Sequence, residues 1–264
     1  MRRASFGVGE RCLAILLDRE QSKDGGSQDC SFLHARYAAS SIVESDLTSI
    51  LGNAATPVHR LPLFSKLLLP SSPIDLIFAP APRSYWTSTH PLFRGPTEQN
   101  LVTDYLAAFH HLRSTQSNAR VYLHAHSIGC GILLQLLLRH PDIGQQVEGI
   151  ILEAPMTSLA DMLAVMYPHK LLPYRYLSPF LFDRYDSLEA LTTLGSRAEM
   201  KRLKMLFVVL EKDELVPREM TKRFFEHARA SGLDVVEVQI GGALHDTGYL
   251  QASWVKATKT SVTC

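Results

Sequence analysis

This sequence is short of several things, and each shortage excludes something. It has no excess of charge of one sign: 27 Lys and Arg stand against 26 Asp and Glu among 264 residues. A nucleic-acid-binding surface needs a basic stripe, so no nucleic acid is expected as a partner. Cysteine is sparse. Cys12, Cys30, Cys130 and Cys264 form no C-x-x-C pair and stand beside no histidine at a metal-ligand spacing. That excludes a disulfide scaffold and a zinc module, and the four read as free thiols in a reducing compartment. Long apolar runs are also missing, where a bilayer-spanning helix needs about 20 residues. Met1-Arg2-Arg3 is basic, but Leu13 to Leu17 is too short for the apolar part of a secretory signal. The expectation is a cytoplasmic protein. What remains is ordinary globular composition, 46% hydrophobic and 20% charged, in a chain long enough for one large domain over 1–264.

From Ile74 onward, short apolar runs alternate with helical patterns, the mark of a mostly parallel central sheet covered by helices. Strands are expected at Ile74–Ala79, Val121–His124, Val147–Leu152, Met205–Leu210 and Val235–Ile240. Thr97 to Leu112 carries Leu101, Tyr105, Leu106 and Phe109 on one face and reads as a helix. Ile132 to Leu138 is apolar almost all round and reads as a buried helix that stops before Pro141. Pro217 opens another, with Met220, Phe224 and Phe225. The strands are continuous apolar runs, as expected when both sheet faces are covered. Residues 1–50 have no clean period beyond a possible strand at Leu13–Leu17 and a turn at Asp24–Ser27.

The strand at Val121 runs into Ala125-His126-Ser127-Ile128-Gly129-Cys130-Gly131, and the buried helix follows. This is the strand–turn–helix setting of a nucleophile elbow. Small residues two before and two after the nucleophile let strand and helix pass closely; Gly129 meets that demand, and Ala125 stands where a first glycine is usual. The helix start aims unpaired N–H groups at the site, making the Ile128 amide the natural first oxyanion donor. Alternatively, Ser127 is an ordinary helix N-cap.

Downstream partners fit the elbow. Asp213 lies just past the strand ending at Leu210, and His245 just past the strand ending at Ile240, both at the ligand-binding edge of a parallel sheet. A serine hydroxyl needs a base to take its proton, imidazole titrates near neutrality, and a carboxylate fixes the imidazole tautomer. Glu214 is a rival for Asp213, and His245 has the alternative of a plain surface loop. Asp246 is adjacent to His245, and neighbouring side chains in extended backbone point apart. His126 flanks the nucleophile and is a candidate for the pocket lining. His110, His111 and His124 read as helix and strand residues.

Ser127, Asp213 and His245 resemble, in type and order, the triad of the α/β-hydrolase superfamily. The chain resembles its eukaryotic ABHD-type serine hydrolases and their fungal relatives from about Gly52 to about Tyr249. Besides the triad, the resemblance is carried by Arg83 to Ser88, Ala154 to Leu159, Pro173 to Leu181, Tyr185 to Leu188, Lys212 to Pro217 and Gly242 to His245. It implies an α/β-hydrolase fold and cleavage of esters or thioesters of lipid-like acyl groups, with no metal and no organic cofactor. It also implies a second oxyanion donor from the backbone after the third strand, where the family carries His-Gly-Asn-Ala. Here Leu51-Gly52-Asn53-Ala54 matches, which makes Asn53 the candidate. The preceding Thr48-Ser49-Ile50 is a poor central strand, and Leu13 to Asp18 is a rival for that position. On this reading the N-terminal part is altered or truncated relative to the family.

Between the strands at Leu152 and Leu206 lies an apolar insertion, 156–200, that includes Tyr167, Tyr176 and Phe180. Overhanging the nucleophile, it would form a short lid and an acyl pocket; otherwise it is core packing under the sheet edge. The expected function is a serine esterase, thioesterase or lysophospholipase that forms an acyl-enzyme on Ser127. Its partner would be a small or lipid-like acyl substrate, and any membrane contact would come through that substrate. A different class competes: a hydrolase-fold binding protein with a defective oxyanion hole. A peptidase is a third option, without a visible acidic anchor for a substrate amino terminus.

Overall fold

The computed structural model describes residues 13–18, 45–50, 64, 66–68, 74, 76–81, 96–168 and 179–263. A seven-stranded sheet runs through them in the order β1-β3-β2-β4-β5-β6-β7. Its strands are β1 (Leu13–Asp18), β2 (Ser45–Ile50), β3 (Leu76–Ala81), β4 (Arg120–His126), β5 (Gly149–Glu153), β6 (Lys204–Leu210) and β7 (Asp234–Ile240). β1 pairs antiparallel with β3, and the other neighbours are parallel. The rivalry for the third strand is thereby decided. Ser45–Ile50 lies between β3 and β4, in register from Ser45 opposite Arg120 to Ile50 opposite Ala125, whereas Leu13–Asp18 pairs, among the described residues, with β3 alone. Polar Ser45, Thr48 and Ser49 hold a central position because the pairing on both sides, not their β propensity, specifies the strand.

The helices are α1 (Glu98–Thr115), α2 (Ile128–Arg139), α3 (Pro141–Gln146), α4 (Leu159–Met166), α5 (Ser187–Gly195), α6 (Ala198–Lys201), α7 (Arg218–Ala230) and α8 (Ala252–Thr263). Their starts are written in the sequence. The side chains of Thr97, Ser158 and Asp186 accept hydrogen bonds from the N–H groups of Asn100, Asp161 and Glu189, the capping that short polar residues provide. Pro141 has a double role: it follows the end of α2 and occupies the first position of α3.

Alternate residues of the central strands feed two separate cores. Val121, Leu123 and Ala125 of β4, Ile150 and Leu152 of β5, and Met205 and Phe207 of β6 face α1, α2, α5 and α7. Tyr122, Ile151, Leu206, Val208 and Leu210 face the other way, among Phe64, Leu67, Trp254 and Val262. Double-sided burial is why these strands are continuously apolar. On the first side, a methyl at Gly195 would lie 2.2 Å from the carbonyl oxygen of Ser231, so α5 meets the end of α7 backbone to backbone. Only glycine permits that approach.

Candidate active site

The carboxyl ends of β4, β5, β6 and β7 form one edge, and most of the residues singled out above lie along it. β4 continues through His126, two residues later than the sequence pattern suggests, and α2 begins at Ile128. Ser127, between them, has φ 56 and ψ −127. A non-glycine residue at positive φ costs about 1–3 kcal/mol and persists only where its surroundings impose it. They do so here: the Ser127 N–H donates to the Glu153 carbonyl at 2.9 Å, and the Ser127 carbonyl accepts from the Cys130 N–H at 2.9 Å. Ser127 occupies the N-cap position of α2, yet its side chain makes no capping hydrogen bond. An ordinary N-cap would use its hydroxyl for that purpose. Ile128 opens the helix, so its amide belongs to the set that a helix start leaves without an intrahelical acceptor. Asn53 and Tyr176 lie outside the described residues.

Asp213 and His245 meet. The ring Nδ1 of His245 donates to the Asp213 carboxylate, 2.8 Å from Oδ2 and 3.0 Å from Oδ1. The same carboxylate accepts the N–H groups of Leu215 and Val216 at 2.9 and 2.8 Å, so it is oriented before it touches the imidazole. Glu214, the rival acid, accepts the backbone N–H of His245 at 3.0 Å and so supports the loop. The two loops are laced further: Gly242 N–H donates to the Glu211 carboxylate, and Lys212 N–H to the Ala243 carbonyl. His245 is 1% exposed, which excludes a plain surface-loop role. Burial draws its pKa down, but the Asp213 hydrogen bond and charge, then Asp246 and Glu153, outweigh burial and leave it above the ordinary imidazole value. With Nδ1–H committed to Asp213, Nε2 carries the lone pair a general base needs.

His126 adjoins both sides of the site. It precedes Ser127, its Nε2 donates to the His245 carbonyl at 3.0 Å, and the two imidazole rings lie 4.7 Å apart. It is buried and packs against the loop that carries His245. His126, His245 and Asp246 bring ligand-type atoms within 4.8 Å of one another. Each of these two histidines has one ring nitrogen committed, His245 Nδ1 to Asp213 and His126 Nε2 to the His245 carbonyl. Tyr167 caps the end of α4 and is half-buried, while Phe180 and Phe182 are exposed. Phe180 and Phe182 are therefore not core packing under the sheet edge. Cys130 is a free thiol, buried, with its pKa pushed well up by burial and then by the Glu153 charge. The other three cysteines lie outside the described residues.

Sequence reasoning missed a polar pair on the same sheet face as His126. His124 Nε2 donates to Glu153 Oε2 at 3.2 Å, and neither residue is exposed by more than 1%. The signal was a charged residue closing the apolar run Gly149-Ile150-Ile151-Leu152, which reads as a strand end. α8 was also missed, although Trp254, Thr258 and Val262 recur at helical spacing and are all buried.

This fold is shared with known hydrolases. The crystal structure of an alpha-beta hydrolase from Vibrio vulnificus superposes with a TM-score of 0.66 at 16% identity, over 82% of this chain and 73% of that one. A family profile described as serine aminopeptidase, S33, matches residues 93–183, the stretch that holds the elbow. Human Protein ABHD12B is 31% identical over 137 residues, 51% of this chain and 37% of that protein. The chain has the α/β-hydrolase fold and is similar to ABHD-type hydrolases over about half its length. The zebrafish lysophosphatidylserine lipase ABHD12 is 26% identical over 139 residues, 52% of this chain and 36% of that protein. The matches thus span little more than a third of these two relatives. No helix among the described residues is long and apolar enough to cross a membrane.

Proposed function

We propose that this chain is a serine hydrolase that cleaves carboxylic esters or thioesters bearing an apolar acyl group, through an acyl-enzyme on Ser127. The observation that carries the reading is the Asp213–His245 hydrogen bond, whose imidazole packs against His126, the residue before a strained Ser127. His245 Nε2 takes the hydroxyl proton as Ser127 Oγ bonds to the acyl carbon, then returns it to the departing alcohol or thiol. Water repeats the sequence in reverse and frees the acid. Asp213 holds the tautomer and stabilises the imidazolium. The Ile128 amide, with a second donor at Asn53, stabilises the oxyanion. His126, Tyr167, Tyr176 and Phe180 border the acyl group, and the exposed Phe180 and Phe182 suit a lipid-like substrate. The substrate named for the zebrafish relative makes single-chain phospholipid esters the first natural substrates to try.

A fluorophosphonate probe tests this directly. The wild-type protein should label at Ser127 and release a burst of product from an activated acyl ester, and Ser127→Ala should do neither. Equal background rates for the two proteins across acyl lengths, without labelling, would leave the hydrolase-fold binding protein as the better reading. Turnover of aminoacyl amides in preference to esters would favour a peptidase.

A further inference from the structure

The mechanism above leaves the buried carboxylate of Glu153 unused, and its position is not neutral. Glu153 ends β5 with no exposed surface, on the sheet face that carries His124 and His126. Burying a carboxylate costs several kcal/mol unless it is paired and hydrogen-bonded, so strands rarely end in one without a reason. Several groups converge on this residue. Its main-chain carbonyl accepts the Ser127 N–H at 2.9 Å and so holds the elbow at positive φ. Its Oε2 accepts from His124, which Trp254 of α8 covers edge-on, ring centroids 5.7 Å apart. Its Oε1 lies where Gly248 comes closest: a methyl there would stand 2.6 Å from this oxygen. Gly248 opens the 3₁₀ turn Gly248–Leu250, three residues beyond His245. One side chain therefore spans from the floor of the nucleophile's strand to the turn that carries the base.

We propose that Glu153 is a positioning residue, which ties the turn after His245 to the nucleophile's strand and places a second buried negative charge beneath the catalytic imidazole. The inference rests on the serine-hydrolase reading above. Groups facing or closely surrounding His245 are Asp213 and Glu214 from the loop after β6, Asp246 on its own loop, His126 from β4 and Glu153 from β5. Of these, Asp213, Asp246 and Glu153 favour the imidazolium. Removing the Glu153 charge therefore lowers the His245 pKa and moves the acid limb of kcat/KM toward lower pH. Loosening the turn moves the base relative to Ser127, and a misplacement of about 1 Å can cost about 10²-fold in rate.

The test compares Glu153→Gln, which keeps the shape and removes the charge, with Glu153→Asp, which keeps the charge and withdraws it by one methylene. Glu153→Gln should shift the acid limb to lower pH. Glu153→Asp should leave the limb near the wild-type position while kcat falls about 10-fold or more, with KM within about threefold. The His245 imidazole can also be titrated by NMR in Ser127→Ala backgrounds with and without Glu153→Gln, which reads the charge effect without turnover. An unchanged imidazole titration together with wild-type kcat in Glu153→Asp overturns the proposal. If Glu153→Gln does not fold, wild-type kcat in Glu153→Asp alone overturns it. Loss of the serine-hydrolase reading has a different signature, equal rates in wild type and Ser127→Ala.

Discussion

The two faces of the sheet are built from the same strands and have opposite characters. On one, Leu123, Ala125, Leu152 and Phe207 sit among apolar residues of α1, α2, α5 and α7. On the other, the intervening residues of β4 and β5 include His124, His126 and Glu153, all nearly or fully buried, with Trp254 of α8 against His124. Successive side chains of a strand point to opposite faces. One strand can therefore anchor a domain with every second residue and serve chemistry with the rest. The comparison teaches that, on the proposed reading, stability and catalysis fall to adjacent residues of one strand and are still separable.

Experiments can break that separation. The largest effect is expected on the catalytic edge: Ser127→Ala and His245→Ala should each lower kcat by about 10⁴–10⁶-fold, and the double variant should be hardly worse, because a triad acts as a unit. Single-turnover kinetics checks this, and additive losses would show that the two residues work apart. Asp213→Asn should cost about 10³–10⁴-fold through the wrong tautomer. Glu214→Gln, at the carboxylate that accepts the His245 backbone N–H, should stay within about threefold of wild type. Steady-state rates for that pair sharpen the choice of acid, and a reversal would move the role to Glu214.

On the apolar face, Phe207→Ala should lose about 3–5 kcal/mol in urea denaturation, since it empties a fully buried site between Phe224 and Phe225. Its kcat per labelled active site should be unchanged. A large fall in kcat there would mean the faces are coupled. The smallest effect is on pH. Because the His245 pKa is raised, kcat/KM should rise with pH and level off above the ordinary imidazole range of about 6.5. The same raised pKa means the charged imidazole contributes stability below its unfolded-state pKa. That contribution is lost as pH rises through the folded-state value.

Most of the fold is legible in the sequence because β4, β5 and β6 are buried apolar runs and α1, α4 and α5 start at polar caps. The edge carrying Asp213 and His245 is legible for the same reason: each residue follows directly on an apolar strand. Other features are less so. Ser45–Ile50 is polar, and only its neighbours β3 and β4 make it a central strand. Glu153 and His124 resist sequence reading because their pairing crosses two strands, and neither residue's immediate context marks it. The choice between Asp213 and Glu214 is likewise a matter of tertiary direction, since adjacent carboxylates after one strand differ only in where the turn sends them. The Leu215 and Val216 amides aim one of them at the ring.

His126 and His245 touch across 119 residues of chain, and that separation has a consequence in time. The elbow can close as soon as β5 pairs with β4, but the base reaches it only after β6 and β7 have been added and the loop beyond them has turned back. Contacts so distant in sequence are slow to form, because the entropy of the intervening loop is lost before the contact returns anything. On a ribosome, the histidines of β4 wait uncovered until Trp254 and the His245 loop are synthesised. In a refolding experiment, fluorophosphonate reactivity should therefore lag behind the return of helical circular dichroism, so that the reactive serine reports the final step of assembly.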